Sequence, residues 1–262
     1  MHRSAPRLTR ILACAAVPVM LVVAGCSSDS DGKKDQDASA SASADASKSA
    51  PVVAPAKFAE LPDPCKAVAA KTVKSLVPSA KDKSGTRGKS SDESARGSCS
   101  WNGLDDNGVK GSQYRWLDVG FTRFASDQAL GSGAARAEQD YAKQIAKAKA
   151  TDDAKKLETA PADSLGDQAT TITYDLAKTG EDFKYATIVA RTGNVVVVVN
   201  YNGAGYAGSK TPSADTILKG ARMAARDAVA AVADANGSKQ ASGSPEASKS
   251  PAASKSPAKK ES

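Results

Sequence analysis

Five consecutive valines at positions 195–199, followed by Asn200 and Tyr201, constrain this chain more than any other stretch. β-Branched side chains lose rotamer freedom in a helix and pack well on a pleated surface, so the run reads as a strand. A strand sends alternate side chains to opposite faces, and here both sets are apolar. The run therefore predicts a central strand covered on both sides. An apolar run alone does not prove this, but Thr192-Gly193-Asn194 before it supplies a turn.

Other strands arrange themselves around that one. Residues 168–176 alternate, with Ile172, Tyr174 and Leu176 on one face. Thr179-Gly180-Glu181 turns the chain into a return strand over 183–191. Short turns join these strands to the valine run, which makes an antiparallel meander. Upstream, 113–124 alternates with Leu117, Val119 and Phe121 inward and Trp116 on the opposite face. Cys99-Ser100-Trp101 begins a short strand, and Asn107-Gly108 is a hairpin signal between the two.

Helices are expected in three places. Asp63 and Pro64 suit an N-cap and a first helical position; Cys65, Ala69, Val73 and Leu76 follow as one stripe, and Pro78 ends it. Residues 132–150 carry Tyr141, Ile145 and Ala148 inward, with Ser132 as cap. Residues 213–234 carry Ile217, Ala221, Ala224, Ala228 and Val232. The polar stretch 81–97 reads as a mobile loop, and the glycine-rich 203–208 as a flexible crossover. The predicted order is α-β-β-α-β-β-β-α: an α+β fold with an antiparallel β-sheet flanked by helices.

Only part of the chain has the composition of a packed domain. Residues 27–57 and 238–262 are Ser, Ala, Pro, Lys and Asp with few large apolar side chains. Such segments cannot bury enough surface to offset the entropy of ordering them, so both read as disordered. One domain remains over 58–237. The N-terminus has Arg3, Arg7 and Arg10, then an apolar run over 11–24 ending Val23-Ala24-Gly25-Cys26. Fourteen residues are too few to span a bilayer, which needs about 20. The pattern is that of a lipoprotein signal peptide over 1–25, cleaved to leave Cys26 carrying lipid, with 26–57 as a tether. A diacylglyceryl group gives the two chains that stable anchoring needs. The expected location is the outer face of the cytoplasmic membrane, with the lipid on Cys26 holding the protein there.

The formal charge of +7 falls to +4 when three signal-peptide arginines leave. With +3 in the tail and −1 in the tether, the domain carries about +2. That is not the charge of a nucleic-acid binder. Of four cysteines, Cys14 leaves with the signal and Cys26 takes lipid. Cys65 and Cys99 remain outside the cell, where one disulfide between them is expected; a reactive thiol is the competing reading.

Asp63-Pro64-Cys65, Cys99-Ser100-Trp101 and Leu165-Gly166-Asp167-Gln168-Ala169, in that order after a lipobox, resemble the actinobacterial lipoproteins of domain-of-unknown-function family 3558. The resemblance covers about 61–232. The family's element order is similar to the PsbP/Mog1-like sandwich, mostly a protein-binding accessory fold. The resemblance implies no activity to carry over.

Histidine occurs once, at His2 inside the signal peptide. The mature chain therefore has no imidazole for a Ser-His-Asp or Cys-His site or for a His-ligated metal. The carboxylate pairs Asp105-Asp106, Asp152-Asp153 and Glu181-Asp182 fall in expected turns, where Asp is favoured for backbone reasons. No catalytic residue, metal or cofactor is expected. Trp116, Tyr201 and Tyr206 are candidates to line one binding groove. The expected function is a non-catalytic, monomeric binding or accessory protein of the cell envelope that meets an envelope protein or wall component. A carrier of a small apolar ligand is the alternative, and a histidine-free hydrolase a weaker one.

Overall fold

A computed structural model describes residues 52–240, with side chains as far as Gly237. The expectations for the signal peptide, Cys26, most of the tether and nearly all of the tail lie outside the described residues. The elements in chain order are α1 (Ala70–Leu76), β1 (Thr86–Arg87), β2 (Arg96–Asp106), β3 (Ser112–Arg123), α2 (Gly133–Lys149), β4 (Lys155–Pro161), β5 (Gln168–Lys178), β6 (Glu181–Thr192), β7 (Val195–Tyr206) and α3 (Ala214–Gln240). The strands form one sheet in the order β1-β2-β3-β7-β6-β5-β4, each neighbouring pair antiparallel. This is the expected α+β class.

The valine run is the middle strand. Val195, Val196, Val197 and Val199 are all at most 1% exposed, so cover comes from both sides. On one face lie α1 and α3 with the larger core: Val197, Val199, Ile188, Leu117 and Val119 against Ile217, Ala221, Ala224 and Ala228. On the other lies α2, whose Ala137, Tyr141 and Ile145 meet Val196, Val189 and Ile172. Ser132 caps α2 by accepting from the Ala135 amide at 3.2 Å, and Ser213 caps α3 by accepting from the Thr216 amide at 3.2 Å.

Five expectations needed correction. The first helix starts at Ala70 rather than at Pro64. Asp63 instead forms a turn, accepting at its side chain from the Cys65 amide and at its carbonyl from the Lys66 amide, both at 3.0 Å. Ala67 and Val68 are both buried, and adjacent residues of a helix diverge by about 100°, so the chain leaves helical geometry to seat both. Second, 81–97 is not all loop: β1 pairs there with β2. Third, β4 went unseen. β1 and β4 are the sheet edges, and their largely exposed side chains carry no apolar alternation to read. Fourth, the glycine-rich stretch is strand through Tyr206. A Cβ on Gly203 would sit 2.8 Å from the Tyr114 carbonyl, so glycine lets β7 lie close against β3. The last helix also continues to Gln240 rather than ending at 234.

Two devices fix the ends of the domain. Cys65 and Cys99 form the expected disulfide, tying the turn before α1 to β2. Asn194, fully buried in the β6–β7 turn, accepts from the Phe58 amide at 2.7 Å. Its side-chain amide donates to the Phe58 carbonyl at 2.9 Å and the Phe124 carbonyl at 2.8 Å. Beside it, Asp167 accepts from the Gly193 amide at 2.6 Å, and Gly166 takes φ +68° against the Arg191 carbonyl. The Leu165-Gly166-Asp167 motif is thus a clamp on that turn.

Opening the disulfide frees a 34-residue separation and is expected to cost about 3–4 kcal/mol in a Cys65→Ser/Cys99→Ser variant. Asn194→Ala leaves three backbone groups unpaired, the two of Phe58 buried and that of Phe124 partly so, and is expected to cost at least about 2 kcal/mol. Urea denaturation of each variant measures both; losses below about half of these values would contradict the two assignments.

Candidate functional site

The second face of the sheet is only partly covered. α2 starts over Val196 and Phe124 and ends toward Leu157 and Tyr174, crossing β7, β6 and β5. The part of the face over β2, β3 and the far ends of β6 and β7 has no helix on it among the described residues. Strand register reads out what stands there. One row across the sheet is Asn102, Trp116, Asn202, Tyr185, Tyr174. The next row, nearer α2, is Ser100, Asp118, Asn200, Thr187, Ile172. Cross-strand partners share a face, so these side chains form a continuous surface.

The aromatic part of that surface is ordered by ring contacts. Tyr174 and Tyr185 stack with centroids 4.9 Å apart and planes 4° from parallel. Phe183 meets Tyr114 edge-on at 5.9 Å and Tyr206 edge-on at 6.2 Å. Phe183 is buried beneath, while Tyr114, Trp116, Tyr174, Tyr185 and Tyr206 are half-buried. Burial pushes the Tyr114 and Tyr174 phenols up, which keeps both as neutral hydroxyls.

The polar part is a relay. Thr187 donates to the Asn200 side-chain oxygen at 2.8 Å, and the Asn200 amide donates to Asp118 at 3.3 Å. Asp118 makes no ion pair among the described residues, and loss of hydration pushes its carboxyl up, opposed by the Asn200 bond. A cleft of about 460 Å³ opens over it, with Gln144 and Lys147 of α2 on one side and Arg96 and Ser98 of β2 on the other. The side-chain amide nitrogen of Asn202 is buried without a partner.

The sequence candidates divide between the two faces. Trp116 and Tyr206 lie on the open face. Tyr201 does not: it pairs with Leu117, faces α3 and is 4% exposed, and its hydroxyl donates to the Leu76 carbonyl at 2.8 Å. Tyr201 therefore closes the C-terminal end of α1, and the three do not line one groove. A shallow groove of about 450 Å³ runs past Tyr201 between α1 and α3, walled by Leu76, Pro78 and Met223. The acidic pairs stay apart from the open face's relay. Asp106 builds the β2–β3 turn, accepting from the Gly108 amide and the Ser112 hydroxyl, both at 2.9 Å, and these bonds hold its carboxyl low. Asp153 sits at φ +59° in the turn before β4. Among the described residues no three His, Cys, Asp or Glu side chains gather to hold a metal.

Reasoning from sequence missed Asp118, Asn200, Asn202, Tyr174 and Tyr185 as a group. Each strand did carry a signal: Trp116 and Asp118, Asn200 and Asn202, and Tyr185 and Thr187 are same-face pairs two residues apart. Joining them needs the β3–β7 pairing, which spans about eighty residues of chain and has no local signature.

Asp118 has its carboxyl raised above the ordinary 3.8, so the folded protein binds this proton more tightly than the unfolded chain does. Its contribution is fully present below the unfolded value and is lost as pH rises through the folded one. Asp118→Asn, with Lys147, Arg96 and Lys89 unchanged around the cleft, is expected to melt higher than the parent at neutral pH. That gain should vanish below about pH 3.8. Thermal melts across pH test this, and an equal difference at all pH values would contradict it.

Comparison with known proteins adds family membership. No curated protein matches the chain. Among solved structures, the crystal structure of Ara h 8.0201 aligns over 67% of this chain and 91% of that one, at 11% identity and a TM-score of 0.16, a likeness that carries no argument. Residues 21–182, more than half of the chain, match the model of a protein family of unknown function, DUF3558. The chain belongs to that family.

Proposed function

We propose that this is a lipid-anchored, non-catalytic binding protein of the actinobacterial cell envelope, working on the outer face of the cytoplasmic membrane. Cys26 carries the lipid, the stretch 27–57 links it to the domain, and the open sheet face makes the contact. The single observation that carries the reading is that face: four half-buried aromatic side chains, Tyr114, Trp116, Tyr185 and Tyr206, with no helix of the described residues over them, beside a carboxylate that makes no ion pair among those residues. Half-buried aromatics with polar tips are typical of contact surfaces. Position supports it as well. The chain enters the domain at Phe58, bonded to Asn194 at one end of β7, and Tyr206 stands at the other end, twelve residues along. A strand of that length reaches about 40 Å, so the aromatic end lies far from the point where Phe58 joins the sheet.

A second reading is a carrier of a small apolar ligand in the groove past Tyr201, favoured by its apolar walls at Leu76, Pro78 and Met223. A photo-crosslinking residue placed at 116 or at 223 in the full-length protein separates the two. Adducts with envelope components at 116 alone support the first reading; adducts at 223 alone support the second.

The anchor has its own test. Cys26→Ala is expected to move most of the protein from the membrane to the soluble fraction, read by fractionation. Retention of the variant in the membrane at the parent level would refute anchoring through Cys26.

A further inference from the structure

We propose that the open sheet face binds a neutral glycan, a strand of pyranose units lying across Trp116 and over Asp118. The proposal rests on the binding-protein reading and names its ligand. A pyranose presents two kinds of surface. Its axial C–H bonds are polarised by neighbouring oxygens and settle on the electron-rich face of an aromatic ring. Its hydroxyls lie around the edge and both donate and accept hydrogen bonds. The face offers both in register. Trp116 and Asp118 are two residues apart on one face of β3; opposite them on β7 stand Asn202 and Asn200. The stacked Tyr185 and Tyr174 continue the row that holds Trp116.

The polar groups have capacity to spare. An ionised carboxylate accepts at two oxygens, and Asp118 receives one bond, at 3.3 Å from Asn200. Two adjacent sugar hydroxyls donating to it would replace the hydration it has lost. The amides of Asn200 and Gln144 flank it and can serve hydroxyls in either sense. Asn202 adds a second, independent sign. Its amide nitrogen is buried with no acceptor, between Trp116 and Tyr185 in the row. An unpaired buried donor is costly, so an acceptor oxygen that reaches it between those rings removes a penalty already present in the free protein.

Other occupants fit less well. An acyl chain would bury Asp118, Asn200 and Asn202 against hydrocarbon with their bonds unmade. A polyanion would be drawn to Lys89, Arg96 and Lys147 at the sides of the cleft but would meet the Asp118 carboxylate on its floor. A protein partner would centre instead on the neighbouring apolar row, where Leu104, Tyr114 and Ala204 stand in register, two rows away from Asp118 and Asn200.

Two tryptophans give the test its readout. Trp101 is 2% exposed on the far face, so a ligand on the open face reports through Trp116. Full-length protein in lipid nanodiscs is titrated with three probes: the β-1,4-linked tetramer of N-acetylglucosamine, cellotetraose and maltotetraose. The expected result is a saturable change in tryptophan fluorescence with at least one. By calorimetry, Trp116→Ala and Asp118→Ala each weaken that binding about tenfold or more, the loss of one charge-assisted hydrogen bond or one ring contact. Lys71→Ala, exposed on α1, leaves it unchanged. Thermal melts establish that each variant is folded. No saturable response to any probe, or binding indifferent to both substitutions in folded protein, overturns the glycan. In that event the crosslinker at 116 distinguishes the failures. Adducts that resist periodate would retain a binding protein with a different partner, and the absence of adducts would remove the binding reading too.

Discussion

A sheet buried through its middle has to be covered on both faces, and this chain supplies unequal covers. β7 is the fourth of seven strands, and four of its five valines are buried, with cover from both sides. On one side, α3 has 27 residues, about 40 Å of helix, enough to follow β7 along its whole length. On the other, α2 has 17 residues, about 25 Å, and it crosses the strands toward the β4–β5 edge. The half of that face over β2 and β3 is left to side chains alone. Residue choice follows the coverage. Under α2 the strands carry Ile172, Val189 and Val196; beyond it they carry Asp118, Asn200, Trp116 and Tyr185. The candidate site is what a sheet does with a face that it cannot bury.

Everything that holds the fold in register sits away from that half-face. Asn194 and the Asp167 clamp act at the β6–β7 turn, where they join the entering chain at Phe58, the end of β3 at Phe124 and the central hairpin. The disulfide fastens the turn before α1 to β2 from the opposite side of the sheet. Tyr201 and Gly220 bring α3 close to β7: a Cβ at Gly220 would stand 2.6 Å from the Tyr201 ring. With the structural bonds gathered elsewhere, the open face can carry an unpaired amide and a dehydrated carboxylate without losing the fold.

Much of this was legible in the chain, and what was not has a physical cause. The valine run, the α3 stripe and the Ser132 cap are each written within one local window, so periodicity and turn chemistry identify them. Local signals gave way at the edges. β1 and β4 are held by backbone bonds to their neighbours and leave no side-chain pattern. At Ala67 and Val68, the demand to bury two adjacent residues overrode a well-signalled helix start. Tyr201 and Tyr206 look alike in sequence, yet one supports α1 and the other faces outward, because five residues along a strand change the face. The site is the extreme case: its members come from four strands, and only the pairing of β3 with β7 makes neighbours of Asp118 and Asn200.

The central claim is that the half-face beyond α2 is a working surface and not a poorly covered core. Hydroxyl-radical footprinting, read by mass spectrometry, tests it without any assumption about the partner. The protein would be probed once purified and once in its native membranes. The account predicts that Trp116, Tyr185 and Tyr206 oxidise readily in the purified protein and are protected in the envelope, while exposed Met223 on α3 reacts alike in both. Equal oxidation of the three aromatics in both settings, or protection at Met223 alone, would contradict it.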